Sequence, residues 1–548
     1  MTAPTVDPVQ LEIIRNALIA AAEEMSVTVW RTSRSTVVRE MLDYSTQVFD
    51  GKGRAVAQAA RIPVHLNSMS VCLDRITRDF IPLEDWNDGD VIMTNDPYCG
   101  GQHLPDFVAF KPVFVDGVRV GIAATIVHHI DVGGGAAGSY YAQATEVYHE
   151  GLRIPPCKVV EAGKLNKAVA AIIRQNSREP EQIGGDFSSQ LAAMEIGAQA
   201  LRKLSQRYGA DGLQAAMDEL QDQSDRTMRA MLRDLPDGTY HFTDYVDDDG
   251  ITDDPLKLQC AVTIAGDTAD VDFSGSSPQA VGPVNCTLNM TASGIYCALA
   301  MLADGKVMAN SGAYRAITIK AEEGTVVSAR APAPVANRMA TGHRVVTTVL
   351  GALAQAAPDR VPAAYYGVSY VQTLSTPDPE TGAPRVYFEI EIGGWGAHPS
   401  QDGADAFSAG FHNSSSTPVE LNEAYFPLTF TEYSLIPNSG GAGKHRGGTG
   451  LRRAYRLDAP TSGRLSGNFE RFKVPPYGLS GGASGRPGRF YIVRDGEEHP
   501  LPSKLANHEV RPGDIVVLET AGGGGFGDPA ARDTAAHAED IAGGYVTG

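Results

Sequence analysis

No run in the 548 residues approaches the roughly 18–20 uninterrupted apolar residues that a transmembrane helix needs. Residues 1–9 show no basic stretch followed by an apolar one, so no secretory leader is expected. Basic charge is also in short supply. Lys plus Arg number 46 against 65 Asp plus Glu, a net charge of −19, which argues against nucleic acid or an anionic membrane as the main partner. The six cysteines (Cys72, Cys99, Cys157, Cys260, Cys286 and Cys297) include no Cys-x-x-Cys pair. They read as reduced thiols, not as a disulfide framework or zinc ribbon, and a cytoplasmic location is expected. Glycine is abundant and clustered, yet it follows no fixed period, and no heptad is sustained. Collagen-like and coiled-coil structures are therefore excluded.

Several catalytic signatures are missing or incomplete. Gly443-Lys444 is followed by His445, so there is no Walker loop, and His-Glu-x-x-His does not occur. Gly522 to Gly527 fits G-x-G-x-x-G, but the stretch up to Gly548 has no room for the helix, second strand and acidic residue of a dinucleotide site. Gly478-Leu479-Ser480-Gly481-Gly482 fits G-x-S-x-G, but Pro475-Pro476 before it and Gly485, Pro487 and Gly488 after it leave no helix for a nucleophile elbow.

Asp7 in a capping position, Pro8 at the first helical position and Gln10 as a capping-box partner predict a helix over 8–30, with Leu11, Ile14, Leu18, Ala21 and Met25 on one face. From 37 to 127 short apolar runs predict strands, among them 46–49, 91–94, 107–115 and 118–127. A helical block is expected over 164–232, interrupted near 178–186. Further strands are expected at 256–264, 270–273 and 316–319, and further helices at 291–302 and 341–355. Beyond 360, short strands between glycine-rich turns dominate. The fold class is α+β. The expected regions are a metal-bearing mixed part (1–160), a helical segment (161–238), an α+β middle (239–360) and a β-rich, glycine-rich part (361–548). No repeat is evident.

Metal-capable side chains concentrate in residues 40–131. His103-Leu104-Pro105-Asp106 places an imidazole and a carboxylate three apart, after the stretch from Asn95 to Gly101. His128-His129-Ile130-Asp131 ends a strand and runs into Gly133-Gly134-Gly135. Glu40, Asp43 and His65 lie upstream. Neutral imidazoles mixed with carboxylates suit Zn, Mn or Fe(II). Strand alternation sets His128 and Ile130 on one face and His129 and Asp131 on the other, so only one of the two histidines is expected to bind a metal directly. On spacing alone, a single metal site is only slightly better supported than hydrogen-bonded structural histidines.

These segments resemble the hydantoinase B / 5-oxoprolinase / acetone carboxylase family over essentially the whole chain. The resemblance lies in the segments from Arg39 to Ser45, Ile62 to Met69, Asn95 to Asp106, His128 to Gly134 and Glu150 to Pro156. It continues in Asn438 to Gly443, Arg446-Gly447-Gly448 and Gly522 to Asp528. Gln102 departs from the more usual Thr. The resemblance implies a hydantoinase B-like subunit with one divalent metal, Zn or Mn, held by His103, Asp106, His128 and an early carboxylate. Asp43 is the expected fourth ligand and Glu40 the fallback, while His129, Asp131 and Glu40 are supporting candidates behind the ligands. It also implies a hydantoinase A-like partner that carries ATP and Mg, with two copies of each chain expected. The expected reaction is ATP-dependent opening of a small cyclic amide (hydantoin, oxoproline or lactam), with metal-bound water attacking the phosphate-activated carbon. The alternative is a subunit of an ATP-dependent ketone carboxylase; a scaffold without chemistry is a third reading. The late glycine-rich motifs are expected to be tight turns.

Overall fold

A computed structural model describes residues 7–378, 381–408 and 410–547. Asp7 caps helix α1 (Pro8–Thr32) by accepting the backbone N–H of Gln10 at 2.9 Å, and Pro8 fills the first turn, where no donor is lost. Gln10 therefore takes part through its backbone. After one helical turn, α2 (Thr36–Arg39), the chain builds the strands that position the site: β1 (Tyr44–Asp50), β2 (Ala55–Gln58), β3 (Val91–Thr94), β4 (Asp106–Val115), β5 (Val118–His128), β6 (Cys157–Glu161) and β7 (Lys164–Leu165). They form one sheet in the order β2-β1-β5-β4-β3-β6-β7, antiparallel throughout.

Helix α3 (Ser68–Asp79) interrupts this series where strands are expected from the sequence. Met69, Cys72, Leu73 and Ile76 are buried at helical spacing, a period hidden among the short apolar runs. The expected helical block consists of α4 (Lys167–Gln175), α5 (Pro180–Tyr208) and α6 (Ala210–Arg233), with Lys164–Leu165 belonging instead to the sheet. Pro180 starts α5, so the expected interruption is shorter than the sequence suggests, and a second break falls at Gly209.

Helices α1 and α5 cover the sheet face that carries Val48, Phe107, Ala109, Ala123 and Val127. Helix α3 covers the other, with Phe49, Val108, Phe110, Ile122, Ala124 and Ile126. A sheet covered on both faces needs apolar side chains at successive positions, which explains the unbroken apolar character of β4 and β5.

The rest of the chain adds three sheets. The first orders β11-β10-β9-β8 from β8 (Gly238–Val246), β9 (Leu256–Ala265), β10 (Thr268–Asp272) and β11 (Ile317–Lys320). It packs on α8 (Arg338–Leu353), which in turn packs on α7 (Leu288–Leu302). Strands β12 (Tyr370–Pro377), β13 (Pro384–Glu391), β16 (Gly463–Asn468) and β19 (Lys504–Val510) form the second. Strands β14 (Leu428–Leu435), β15 (Leu451–Leu457), β17 (Arg489–Arg494), β18 (Glu497–Pro500) and β20 (Ile515–Glu519) form the third, and α9 (Val419–Tyr425) and α10 (Thr534–Ala542) are the last helices. The architecture is α+β, and no helix among the described residues is long and apolar enough to cross a membrane.

The late glycine-rich segments do not behave as the expected tight turns. Successive amides of Gly523, Gly524 and Gly525 donate to Gly448, Ala364 and Ala483 at 2.8–2.9 Å, so one extended segment bonds to three different neighbours. A Cβ on Gly523 would stand 1.8 Å from the Trp395 carbonyl oxygen, and one on Gly448 1.9 Å from that of Ala404. Glycine is required here because backbones touch.

Candidate metal centre

The loop before β4 is held by its own side chains. Asn95 donates to the carbonyls of Leu104 at 2.7 Å and Leu152 at 2.8 Å and accepts from Ile154 N–H at 2.7 Å, tying the loop to the Glu150–Pro156 motif. Asp96 caps the turn at Tyr98 and pairs with Arg153 at 2.8 Å. Gly100 has φ +101°, and a Cβ there would lie 2.6 Å from the Cα of Cys72. Gln102, the departure from the family pattern, donates to the Val64 carbonyl at 2.7 Å and so fastens the loop to the segment before α3.

His103 and Asp106 close the loop. The β4–β5 hairpin sets Asp106 directly opposite His128, and the backbone N–H of His128 donates to the Asp43 carbonyl at 3.1 Å. His103 Nε2 lies 3.2 Å from Asp106 Oδ1, while His128 Nδ1 lies 3.3 Å from Asp43 Oδ2 and 3.6 Å from Asp106 Oδ1. Donor atoms of His103, Asp106 and His128 all fall within 4.8 Å of one another. For metal–ligand bonds near 2.0–2.1 Å, the edge of a coordination tetrahedron is about 3.3–3.4 Å. All four residues are buried, and His103 Nδ1 and Nε2, Asp106 Oδ1 and His128 Nε2 have no hydrogen-bond partner. Buried polar atoms left unpaired carry a substantial cost. A shared cation would satisfy those of them that converge on it, and an N₂O₂ set fits Zn or Mn.

Electrostatics support the same donor states. Burial pushes the His103 imidazole down to about 3, with Arg338 adding to the effect, so the ring is neutral at pH 7 and offers a lone pair. Burial raises the Asp106 carboxyl, but His103, Arg338 and His128 more than offset this and hold it well below the usual carboxylate range. The same contest at Asp43, won by His128 and His412, keeps that carboxyl ionised. Arg338, at the start of α8, donates to Asp106 Oδ2 at 2.9 Å and leaves Oδ1 facing the histidines. Tyr140 packs against His103, His128 and Phe388, closing the site with aromatic rings.

Of the other sequence candidates, His65 stays within the field of Asp106 and Asp43, while His129, Asp131 and Glu40 are tied to other partners. His129 turns to the opposite sheet face, edge-on to Phe107 and 3.1 Å from Gln190 of α5. Asp131 accepts from Gly133, Gly138 and the Arg178 backbone and guanidinium at 2.8–3.0 Å, anchoring the following glycine-rich loop. Glu40 is not brought to the cluster; its carboxylate stands 3.8 Å from Arg39. His65 is buried, 3.0 Å from Ser45 Oγ. Sequence reasoning missed Arg338 and His412, whose Nε2 is 3.4 Å from Asp43 Oδ2 across 369 positions of chain. No local pattern marks either one.

Comparison with known proteins places this geometry in context. The family model described as Hydantoinase B/oxoprolinase matches residues 7–529. The caprolactamase subunit beta of Pseudomonas jessenii is 34% identical over 560 residues, covering 99% of this chain and 94% of that one. The crystal structure of the ATP-dependent caprolactamase from the same organism superposes with a TM-score of 0.93 at 33% identity, covering 99% of this chain and 95% of that one. The 5-oxoprolinase 1 of Arabidopsis thaliana is 30% identical over 545 residues, which are 95% of this chain but 42% of the plant protein. An acetone carboxylase structure shares the fold, with a TM-score of 0.89 at 20% identity over 99% of this chain and 78% of that one.

Proposed function

We propose, since the chain belongs to the Hydantoinase B/oxoprolinase family, that it is the metal-containing subunit of an ATP-dependent hydrolase of cyclic amides. Its partner is a hydantoinase A-like subunit that binds ATP, with two copies of each chain. The observation that carries the reading is the buried donor set of His103, Asp106, His128 and Asp43, with unpaired atoms facing one another.

An unstrained amide is a poor electrophile. Phosphoryl transfer from ATP to the amide oxygen, on the partner, gives an imidate-like carbon with a good leaving group. Opening the ring then requires oxygen from water to join that carbon and the C–N bond to break towards nitrogen, with phosphate released. A divalent ion, when bound, supplies Lewis acidity and makes water a nucleophile at neutral pH. The chain's own residues prepare the place. Neutral His103 and ionised Asp106 and Asp43 present lone pairs, Arg338 fixes which Asp106 oxygen faces inward, and the Tyr140 and Phe388 rings exclude bulk water that would otherwise consume the activated amide.

The test is an ATP-consumption screen with the partner subunit present, across lactams, hydantoins, 5-oxoproline, ureas and ketones with bicarbonate. Ring-opened amino acids accompanied by ADP are expected. ATP turnover only with a ketone and bicarbonate would replace this reading with a carboxylase.

A further inference from the structure

Behind Asp43 the hydrogen bonding does not stop at one histidine. His412 Nδ1 lies 2.8 Å from Ser369 Oγ, and Ser414 Oγ flanks the same ring at 3.1–3.2 Å. Ser369 Oγ is also 3.3 Å from His343 Nε2, and His343 Nδ1 is 3.0 Å from the Tyr365 hydroxyl. All of these groups are buried. The line Tyr365–His343–Ser369–His412–Asp43 thus runs from the middle of the molecule, through α8 and the approach to β12, to the metal-facing carboxylate of the N-terminal sheet.

Its direction follows from donor and acceptor chemistry. An ionised carboxylate only accepts, so His412 Nε2 must carry the proton it donates to Asp43. His412 Nδ1 then accepts from the Ser369 hydroxyl, and Ser369 Oγ accepts from His343 Nε2–H. His343 Nδ1 accepts in turn from Tyr365, whose phenol keeps its proton because burial disfavours the phenolate. Every member is satisfied once, in one sense. Such a line holds each ring in a single orientation and tautomer, as partners behind a ligand commonly do.

We propose that His412, aligned by Ser369 and His343, is a positioning residue that aims the Asp43 carboxylate at the metal centre, and that both histidines carry a proton on Nε2. The inference rests on the reading of His103, Asp106, His128 and Asp43 as a metal site, and it adds the residues that orient the fourth donor.

The probe is Zn²⁺ alone, with affinity measured by chelator competition on the purified full-length chain and melting followed in parallel. His412→Ala should weaken Zn²⁺ binding by about 10–100-fold while the metal-free protein melts close to wild type. His412→Gln, whose amide can still donate to Asp43, should recover part of the loss, and Ser369→Ala should fall between. Nitrogen-15 spectra of histidine-labelled protein should show resonances of the Nε2–H tautomer that disappear in His412→Ala and His343→Ala. Should His412→Ala fail to fold, Ser369→Ala carries the affinity comparison. Wild-type Zn²⁺ affinity in the His412 and Ser369 variants, beside a His103→Ala variant that has lost the metal, would overturn the proposal and leave the metal site standing. Retention of Zn²⁺ by His103→Ala would remove both.

Discussion

At the scale of single residues, the donor set and its surroundings make separable demands. Replacing His103, Asp106 or His128 by Ala should abolish stoichiometric metal, because each supplies an atom to the buried cluster. Glu40→Gln should leave metal content unchanged, since its carboxylate stands beside Arg39. Elemental analysis per chain, with circular dichroism as the folding control, reads both. Glu150 makes a different demand. Burial pushes its carboxyl up to about 8, although it accepts the N–H groups of Val335 and Ala336 at 2.7 Å, and its second oxygen is unpaired. Between the ordinary glutamate value and about 8, the folded chain keeps a proton that the unfolded chain releases. Stability from this group is therefore present at low pH and falls as pH rises through that window, by an amount on the order of a few kcal/mol. Glu150→Gln, which keeps an accepting oxygen and cannot ionise, should flatten the decline. Melting temperatures of the two proteins compared at pH 6 and pH 8.5 decide the matter; parallel curves would refute the assignment.

At the scale of elements, what could be read in the sequence depended on how far a pattern reaches. The helix from Pro8, strands β3 to β5 and the His103-x-x-Asp106 pair are local, and each is visible in capping residues, apolar runs or spacing. Alternation along β5 also separates His128 from His129 correctly, because the sheet has distinct covered faces. Folding the hairpin on paper about Asp116-Gly117 would have set Asp106 opposite Val127; a bulge at Val113/Phe114 shifts the register by one and brings His128 across instead, and no local pattern announces it. Helix α3 was hidden because its apolar period sits inside a stretch rich in short runs. The glycine-rich segments were misleading for another reason: a turn and a backbone-to-backbone contact both call for glycine, and only the contact needs it without positive φ. The two uses predict different costs. Gly523→Ala puts a Cβ 1.8 Å from a backbone oxygen that cannot swing away, and should cost on the order of 4–5 kcal/mol or leave the protein insoluble. Gly212→Ala, within α6 and with only the Tyr208 Cβ near, at 4.0 Å, should stabilise by about 0.5–1 kcal/mol. Thermal or denaturant unfolding of the two variants checks the contrast.

At the scale of the whole molecule, the candidate site joins parts far apart in sequence. Arg338 and His412 reach the N-terminal donors across 232 and 369 positions, which is why neither was legible beforehand. Division of labour between chains belongs to this scale too. The glycine-rich matches are built into packed backbone: the Gly523 and Gly525 amides already donate to Gly448 and Ala483, and the Gly441 amide donates to Gly523. The three successive amides of Gly523, Gly524 and Gly525 are thus already engaged and cannot cradle phosphates. Lys444, the nearest approach to a Walker lysine, is followed by His445 in place of Ser or Thr. The isolated chain is therefore expected neither to bind ATP at micromolar concentration nor to hydrolyse it, and calorimetric titration with ATP and Mg²⁺ should be flat. On the proposed mechanism, turnover needs the activated amide to reach a buried metal centre without meeting bulk water, so a lasting complex serves better than a passing encounter. Co-expression with a hydantoinase A-like chain should give co-elution at micromolar concentration and ATP consumption that depends on both chains. It should also depend on His103, whose loss is expected to stop ring opening while the complex still forms. Micromolar ATP binding by the isolated chain, or separate elution of the two, would defeat the assignment of ATP to a partner.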